Sequence, residues 1–78
     1  MILHYIETTN KEFFSETDEK MKLTFYGEVS KITKLSHGRF RIDFISGNIY
    51  PKQDDKIIST LIIYPANIKT IHYKHGNN

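Results

Sequence analysis

Three segments of the sequence alternate apolar and polar residues with the period of a β-strand. They cover residues 2–8, 21–29 and 39–45, and the second alternates over nine consecutive positions. Successive side chains of a strand point to opposite sides of a sheet, so each segment predicts a strand that buries one face. The faces expected to be buried are Ile2, His4 and Ile6 in the first segment, Met21, Leu23, Phe25, Gly27 and Val29 in the second, and Phe40, Ile42 and Phe44 in the third.

The second and third segments are predicted to form an antiparallel hairpin. Ser36-His37-Gly38 stands between them, and Gly38 is free to adopt the positive φ that short turns often need. The apolar phase slips after Val29, so a bulge or bend is expected near residues 30–31.

The C-terminal third predicts two more strands. Residues 56–64 carry apolar side chains in both phases, which predicts a strand that is central in a closed sheet or covered by another element. A polar loop is expected over residues 51–55, before this strand. Pro65 ends the strand because proline cannot donate to a sheet. A tight turn over residues 66–69 and a last strand over residues 70–74 are expected to follow.

The only helical signal lies near the N-terminus. Thr9-Asn10-Lys11-Glu12 matches a capping box, in which the threonine and glutamate side chains satisfy free main-chain N–H groups. A short helix over residues 10–16 is expected, with Phe13 or Phe14 docked on the sheet and an acidic loop over residues 15–20 after it.

The segment Tyr64-Pro65-Ala66-Asn67-Ile68-Lys69 resembles the Pro-x-Asn turn before the last strand of SH3-type barrels. The resemblance implies a barrel. It does not imply binding of proline-rich peptides, because the tryptophan and acidic loop that grip such peptides have no counterpart here. The predicted fold is mainly β: a small, strongly bent antiparallel sheet or SH3-like barrel of about five strands with one short N-terminal helix. Residues 1–78 are expected to form a single domain with a frayed tail over residues 75–78.

Composition supports strands and limits the chemistry. The 78 residues include 12 isoleucines and 10 Phe or Tyr, but no cysteine that could form a disulfide or bind a metal. The N-terminus lacks the basic start and long apolar run of a signal peptide, and no apolar run could span a bilayer. A cytoplasmic protein without a membrane partner is expected.

The codon bias that the composition implies suggests a source. Ile, Lys and Asn, which have AT-rich codons, are abundant, whereas Ala, Gly, Pro and Arg are scarce. This indicates a low-GC bacterium, or a phage or mobile element that lives in one. A small accessory protein from such a source is predicted to bind, and inhibit or sequester, a host component.

Charge is unevenly distributed along the chain. Residues 1–20 carry −3 and residues 21–78 carry +5, which suggests a pole that faces a partner. The candidate partner-binding face is the outward side of the hairpin, with Lys22, Tyr26, Arg39, Arg41, Lys34 and His37. Cations that neutralise phosphates beside an aromatic ring that stacks on a base would suit nucleic acid. Glu28 and Asp43 on the same face count against nucleic acid, because they can pair with these cations. A protein surface is therefore the predicted partner.

No catalytic motif or metal-ligand set emerges. His72 and His75 are three residues apart in a predicted strand, so they point to opposite faces. A non-enzymatic interaction module without a cofactor or metal is therefore predicted. Nucleic-acid binding is the alternative, and an oligomer that holds a small, anionic, nucleotide-like ligand between subunits is the second alternative.

Overall fold

The computed structural model describes residues 1–47 and 56–76. In these residues the chain forms seven β-strands, one short α-helix and two 3₁₀ turns. The strands are β1 (Ile2–Thr8), β2 (Phe13–Phe14), β3 (Leu23–Thr24), β4 (Gly27–Lys34), β5 (Phe40–Ile45), β6 (Ile57–Ile63) and β7 (Ile68–Lys74). The helix α1 spans Glu19–Lys22, and the 3₁₀ turns span Ser36–Gly38 and Pro65–Asn67.

The strands form two antiparallel sheets. One has the order β2-β1-β7 and the other the order β3-β4-β5-β6. The second sheet curls strongly, so that the Ser59 hydroxyl on β6 donates to the Tyr26 carbonyl oxygen just before β4, 3.3 Å away. The predicted mainly β fold with one short helix is confirmed, and the architecture is compatible with a small barrel.

The core lies between the two sheets. The alternation predicted for residues 39–45 is correct, because Phe40, Ile42 and Phe44 are buried on one side of β5. They meet the buried side chains of the other elements, which are Ile6, Phe14, Val29 and Ile63.

The predicted hairpin is also confirmed. β4 pairs with β5, and the register shifts between Val29 and Lys31, where the change of apolar phase predicted a bulge. The connecting turn places both His37 (φ 60°) and Gly38 (φ 72°) in the left-handed region. The sequence predicted the positive φ of Gly38. It did not predict that of His37, although histidine is one of the few residue types that tolerate this conformation.

The turn before the last strand lies where the resemblance to SH3-type barrels placed it. Pro65–Asn67 forms a 3₁₀ turn, closed by the Asn67 N–H donating to the Tyr64 carbonyl oxygen at 2.9 Å. β7 then starts at Ile68 and pairs with β1. In the predicted tail, Gly76 lies against Ile2, whereas residues 77–78 are outside the described part of the chain.

The helix predicted over residues 10–16 is wrong. Lys11 adopts φ 68°, which ends any helix there, and the Glu12 N–H is capped by the Thr8 hydroxyl, not by Thr9. Phe13 and Phe14 then pair with β1 as a short strand. The helix begins nine residues after the predicted start, at Glu19, where Asp18 caps the N–H of Lys20 at 3.0 Å. In residues 1–47 and 56–76 no helix is long and apolar enough to cross a membrane.

The strand predicted over residues 21–29 is also wrong, because α1, β3 and a turn at Phe25-Tyr26 divide it. Of the face expected to be buried, only Val29 is in the core, and Phe25 is 98 % exposed. Gly27 has φ 131°, which only glycine adopts readily, and a Cβ there would lie 2.7 Å from the Ile45 carbonyl oxygen. The chain turns at this glycine, and the alternation across it has no structural meaning.

The central strand predicted over residues 56–64 is instead an edge strand. β6 pairs with β5 and has no second neighbour among the strands of the described residues. Ile57 and Ile58 are 51 % and 57 % exposed, and only Ile63 is buried. The loop predicted over residues 51–55 lies outside the described residues.

Candidate functional site

The six residues predicted to bind a partner do not form one face. Lys22 lies on α1 at the start of β4, where its ammonium is 3.9 Å from the Glu28 carboxylate. Lys34, His37 and Arg39 lie around the turn at the far end of β4. The length of β4 therefore separates Lys22 from this second group.

The two arginines of the predicted face contact groups of the protein itself. Arg39 donates to the carbonyl and hydroxyl oxygens of Ser36, at 3.1 and 3.0 Å. The Nε of Arg41 lies 3.6 Å from the Asp43 carboxylate, whose other oxygen accepts from Thr60 at 2.9 Å. Asp43 was expected to point outward, and it does so, but these neighbours cover it to 6 % exposure.

Tyr26 was predicted to face outward beside the arginines, and this is wrong. Its ring packs on the core side of the sheet, with ring centroids 5.4 Å from Phe44 and 6.1 Å from Phe14. Arg41 lies on the opposite side of β5 from Phe44, so the sheet separates it from Tyr26. The aromatic ring that would stack on a base is therefore not among the cations.

Tyr26 instead lines a cleft of about 280 Å³ at the open seam between the two sheets. One wall is the loop that joins β1 to β2, and the other is the free edge and inner face at the end of β6. The 3₁₀ turn before β7 closes one end. The lining residues are Thr8, Thr9, Asn10, Glu12, Tyr26, Leu61, Ile62, Ile63 and Asn67.

The polar wall is a tight turn held by its own hydrogen bonds. The Thr8 N–H donates to the Glu12 carbonyl oxygen at 2.9 Å, and the Lys11 N–H donates to the Thr8 carbonyl oxygen at 3.0 Å. The Thr9 N–H donates to the Asn67 carbonyl oxygen at 2.9 Å, which joins this loop to the 3₁₀ turn. The loop is thus fixed at both ends, and the cleft wall is preformed.

The Glu12 carboxylate is the charged group of the cleft. Its Oε1 accepts from the Asn10 amide at 3.2 Å. The Tyr26 phenol also donates a hydrogen bond to Glu12, which raises the pKa of Tyr26 above its ordinary value, and burial and the negative charge of Glu12 add to this effect. An oriented carboxylate beside a phenol favours a ligand that brings positive charge or hydrogen-bond donors.

Little in the sequence indicates this cleft. Glu12 was assigned to a capping box, and Tyr26 to the outer face of a strand that does not exist as one piece. The acidic bias of residues 1–20 was the one usable signal, because Glu12 belongs to that segment. Thr8 has no sequence feature that marks it, and the Pro-x-Asn segment that contains Asn67 predicts a turn but not a cleft wall.

Comparison of the chain with family models, with curated proteins and with solved structures found no match in any of the three.

Proposed function

We propose that the protein is a non-enzymatic interaction module that binds an extended, basic segment of a partner protein along the seam between its two sheets. The observation that carries this proposal is the position of the Glu12–Tyr26 pair opposite the free edge of β6. Each side of the seam supplies one kind of recognition.

The edge of β6 supplies main-chain recognition. An edge strand directs N–H and C=O groups of alternate residues away from its sheet, and an added strand satisfies them. Residues 57–63 contain neither a charged residue nor a proline that would protect this edge. The bulge of β6 lies at Ile58, away from residues 61–63, which line the cleft. An extended segment of a partner has the main-chain geometry that this edge requires.

The opposite wall supplies charge selection. Glu12 lies at the cleft between the Asn10 amide and the Tyr26 phenol, so its carboxylate is held in place by neighbouring groups. A lysine or arginine side chain of the bound segment would place its cation against this carboxylate. The same negative charge disfavours a small anionic ligand in the cleft.

Exposed apolar side chains extend the surface beyond the cleft. Phe25 precedes Tyr26 and is 98 % exposed, and Ile58 on β6 is 57 % exposed. The Ile58 side chain also reaches the start of β4, 3.4 Å from where a Cβ of Gly27 would lie. Exposed aromatic and aliphatic groups beside a cleft are typical anchors of protein interfaces. They make a protein partner a better fit than nucleic acid.

Selection from a displayed library of random linear peptides tests the proposal. We expect enriched peptides to carry lysine or arginine next to β-branched residues and to lack proline in the paired stretch. Nuclear magnetic resonance shifts on binding are expected at Thr9, at residues 61–63 and at Asn67. The Glu12→Gln variant is expected to lose about tenfold in affinity for a selected basic peptide, or about 1.4 kcal/mol.

Glu19→Gln is the matched control, because it makes the same charge change on the exposed first turn of α1. It should leave peptide affinity within twofold. No enrichment, enrichment of acidic peptides, or shifts confined to the β4–β5 turn would overturn the proposal. Binding of a labelled oligonucleotide that is lost on high salt and in an Arg39→Ala, Arg41→Ala double variant would favour nucleic acid instead.

The partner itself is proposed from composition. The bias toward amino acids with AT-rich codons supports a protein of a phage or mobile element in a low-GC bacterium, acting on a host component. A host protein with an exposed, extended basic segment is the kind of target that the cleft would sequester.

A further inference from the structure

A β-bulge brings two histidines from distant parts of the sequence together. In the β1–β7 pair, Leu3 lies opposite Tyr73 and Tyr5 lies opposite His72, so His4 is the extra residue of a bulge. A bulge redirects the side chain of its extra residue. Here it brings the His4 Nδ1 to 3.2 Å from the His72 Nδ1.

We propose that His4 and His72 form a binding site for a divalent transition metal of the class that prefers imidazole, with Zn²⁺ as the representative ion. Two nitrogens bound to one Zn²⁺ at 2.0–2.1 Å with a tetrahedral angle lie about 3.3 Å apart. The separation of the two Nδ1 atoms matches this value without rearrangement of the sheet.

The groups around the pair are those that support a metal-binding histidine. The Nε2 of His4 lies 3.5 Å from the Asp18 Oδ2, which is the carboxylate–histidine arrangement that fixes the ring and strengthens it as a ligand. Asp18 is held by its own contacts, since its Oδ1 accepts from the Lys20 N–H and its main-chain N–H donates to Ser15. The carboxylate is therefore held in place before any ion binds.

The second ring is positioned by an aromatic neighbour. Tyr5, the other residue of the bulge, stacks on His72 with ring centroids 4.9 Å apart and an angle of 12° between the planes. The Tyr5 ring limits rotation of the His72 ring. Both rings are thus oriented by residues that are not ligands, so little rotamer freedom is lost when the ion binds.

The site would supply two protein ligands and leave the other positions open. Among the residues that the structure describes, no group of three or more His, Cys, Asp or Glu side chains could hold a metal ion. His72 is exposed and the His4 side chain is 24 % exposed, so an ion can enter from solvent and water can complete its shell. Binding replaces the proton shared by the two Nδ1 atoms and releases it to solvent.

Titration of the full chain with ZnCl₂ tests the site. Binding is monitored by calorimetry and by nuclear magnetic resonance of the histidine ring nitrogens. We expect one ion per chain, with shifts at the Nδ1 atoms of His4 and His72, and a rise in melting temperature with Zn²⁺ concentration. His4→Gln and His72→Gln should each lower affinity at least tenfold. Asp18→Asn, which keeps the helix cap, should lower it about tenfold.

His75→Gln is the matched control, because His75 is an exposed histidine just after β7. It should leave Zn²⁺ affinity within twofold. The proposal is overturned if Zn²⁺ at millimolar concentration shifts neither Nδ1, or if only His75→Gln removes binding. If either glutamine variant of the pair fails to fold, the ring-nitrogen spectrum of the unaltered chain still decides between these outcomes.

Discussion

The Ser15 hydroxyl donates a hydrogen bond to the main-chain oxygen of His4 and so fastens the loop before α1 to β1. The same hydroxyl oxygen accepts from the N–H groups of Thr17 and Asp18, at 3.2 and 3.1 Å. Ser15 is fully buried, so Ser15→Ala leaves several main-chain groups without their partner. We expect a loss of about 2 kcal/mol in the free energy of unfolding, measured by urea denaturation.

Ser30→Ala is the control for this change, because Ser30 is exposed at the bulge of β4. It should alter the free energy of unfolding by less than about 0.5 kcal/mol. Equal effects of the two substitutions would show that the Ser15 hydrogen bonds do not stabilise the loop.

Adjacent aromatic residues provide a second prediction, since Phe25 is 98 % exposed whereas Tyr26 packs against Phe14 and Phe44. Phe25→Ala should change the free energy of unfolding by less than about 0.5 kcal/mol. Tyr26→Ala should cost about 2 kcal/mol, below the 3–5 kcal/mol of a fully buried aromatic ring. Urea denaturation of the two variants side by side is the measurement. If Phe25→Ala costs more stability than Tyr26→Ala, then Phe25 is the buried residue, as the alternation of residues 21–29 predicted.

The features that sequence predicted correctly are set by local geometry. Phe40, Ile42 and Phe44 share one face because successive side chains of the strand β5 point to opposite sides. The bulge near residue 30 follows from a change of phase within one strand, and the turn at Pro65 follows from the fixed φ of proline. None of these features depends on a distant part of the chain.

Residues 9–28 could not be predicted in the same way, because distant contacts decide their conformation. Glu16 accepts a hydrogen bond from the Ile32 N–H, and the Tyr26 side chain contacts Glu12 across the cleft. Lys11 adopts a positive φ, which is unusual for lysine and cannot be predicted from its residue type. The proposed metal site could not be predicted for the same reason, since His4 and His72 meet only when β1 and β7 pair.

Gly27 and Gly38 both have positive φ but should respond differently to substitution. Gly27 has φ 131°, and a Cβ there would lie 2.7 Å from the Ile45 carbonyl oxygen. Gly38 has φ 72°, where asparagine is tolerated, and a Cβ there would meet only the ring of Pro65 at 3.1 Å. Gly27→Ala should therefore cost about 3 kcal/mol. Gly38→Asn should cost less than about 1 kcal/mol, because only the strain of the left-handed conformation is added.

Thermal and urea denaturation of the two glycine variants check this difference. If Gly27→Ala is as stable as Gly38→Asn, β4 does not begin with a close approach to the Ile45 carbonyl oxygen.

The hydrogen bond between Tyr26 and Glu12 predicts how stability depends on pH. Since the pKa of Tyr26 is raised in the folded protein, the folded state keeps this proton at a pH where the unfolded state has lost it. Stability from this residue is therefore complete below about pH 10, the ordinary range of tyrosine, and falls as the pH rises toward the folded value. Tyr26→Phe should lose less stability than the unaltered chain between pH 9 and pH 11, measured by urea denaturation at each pH.

Two further variants identify the cause of this pH dependence. Glu12→Gln removes the hydrogen-bonding carboxylate, which is the largest cause of the shift, so absorbance titration should show the Tyr26 phenolate forming at lower pH than in the unaltered chain. Tyr64→Phe controls for the loss of one phenol, because Tyr64 is 52 % exposed and lies outside the cleft. If Tyr26→Phe and Tyr64→Phe have the same slope of stability against pH, Tyr26 does not donate to Glu12. The cleft would then lack the oriented carboxylate on which selection of a basic segment depends.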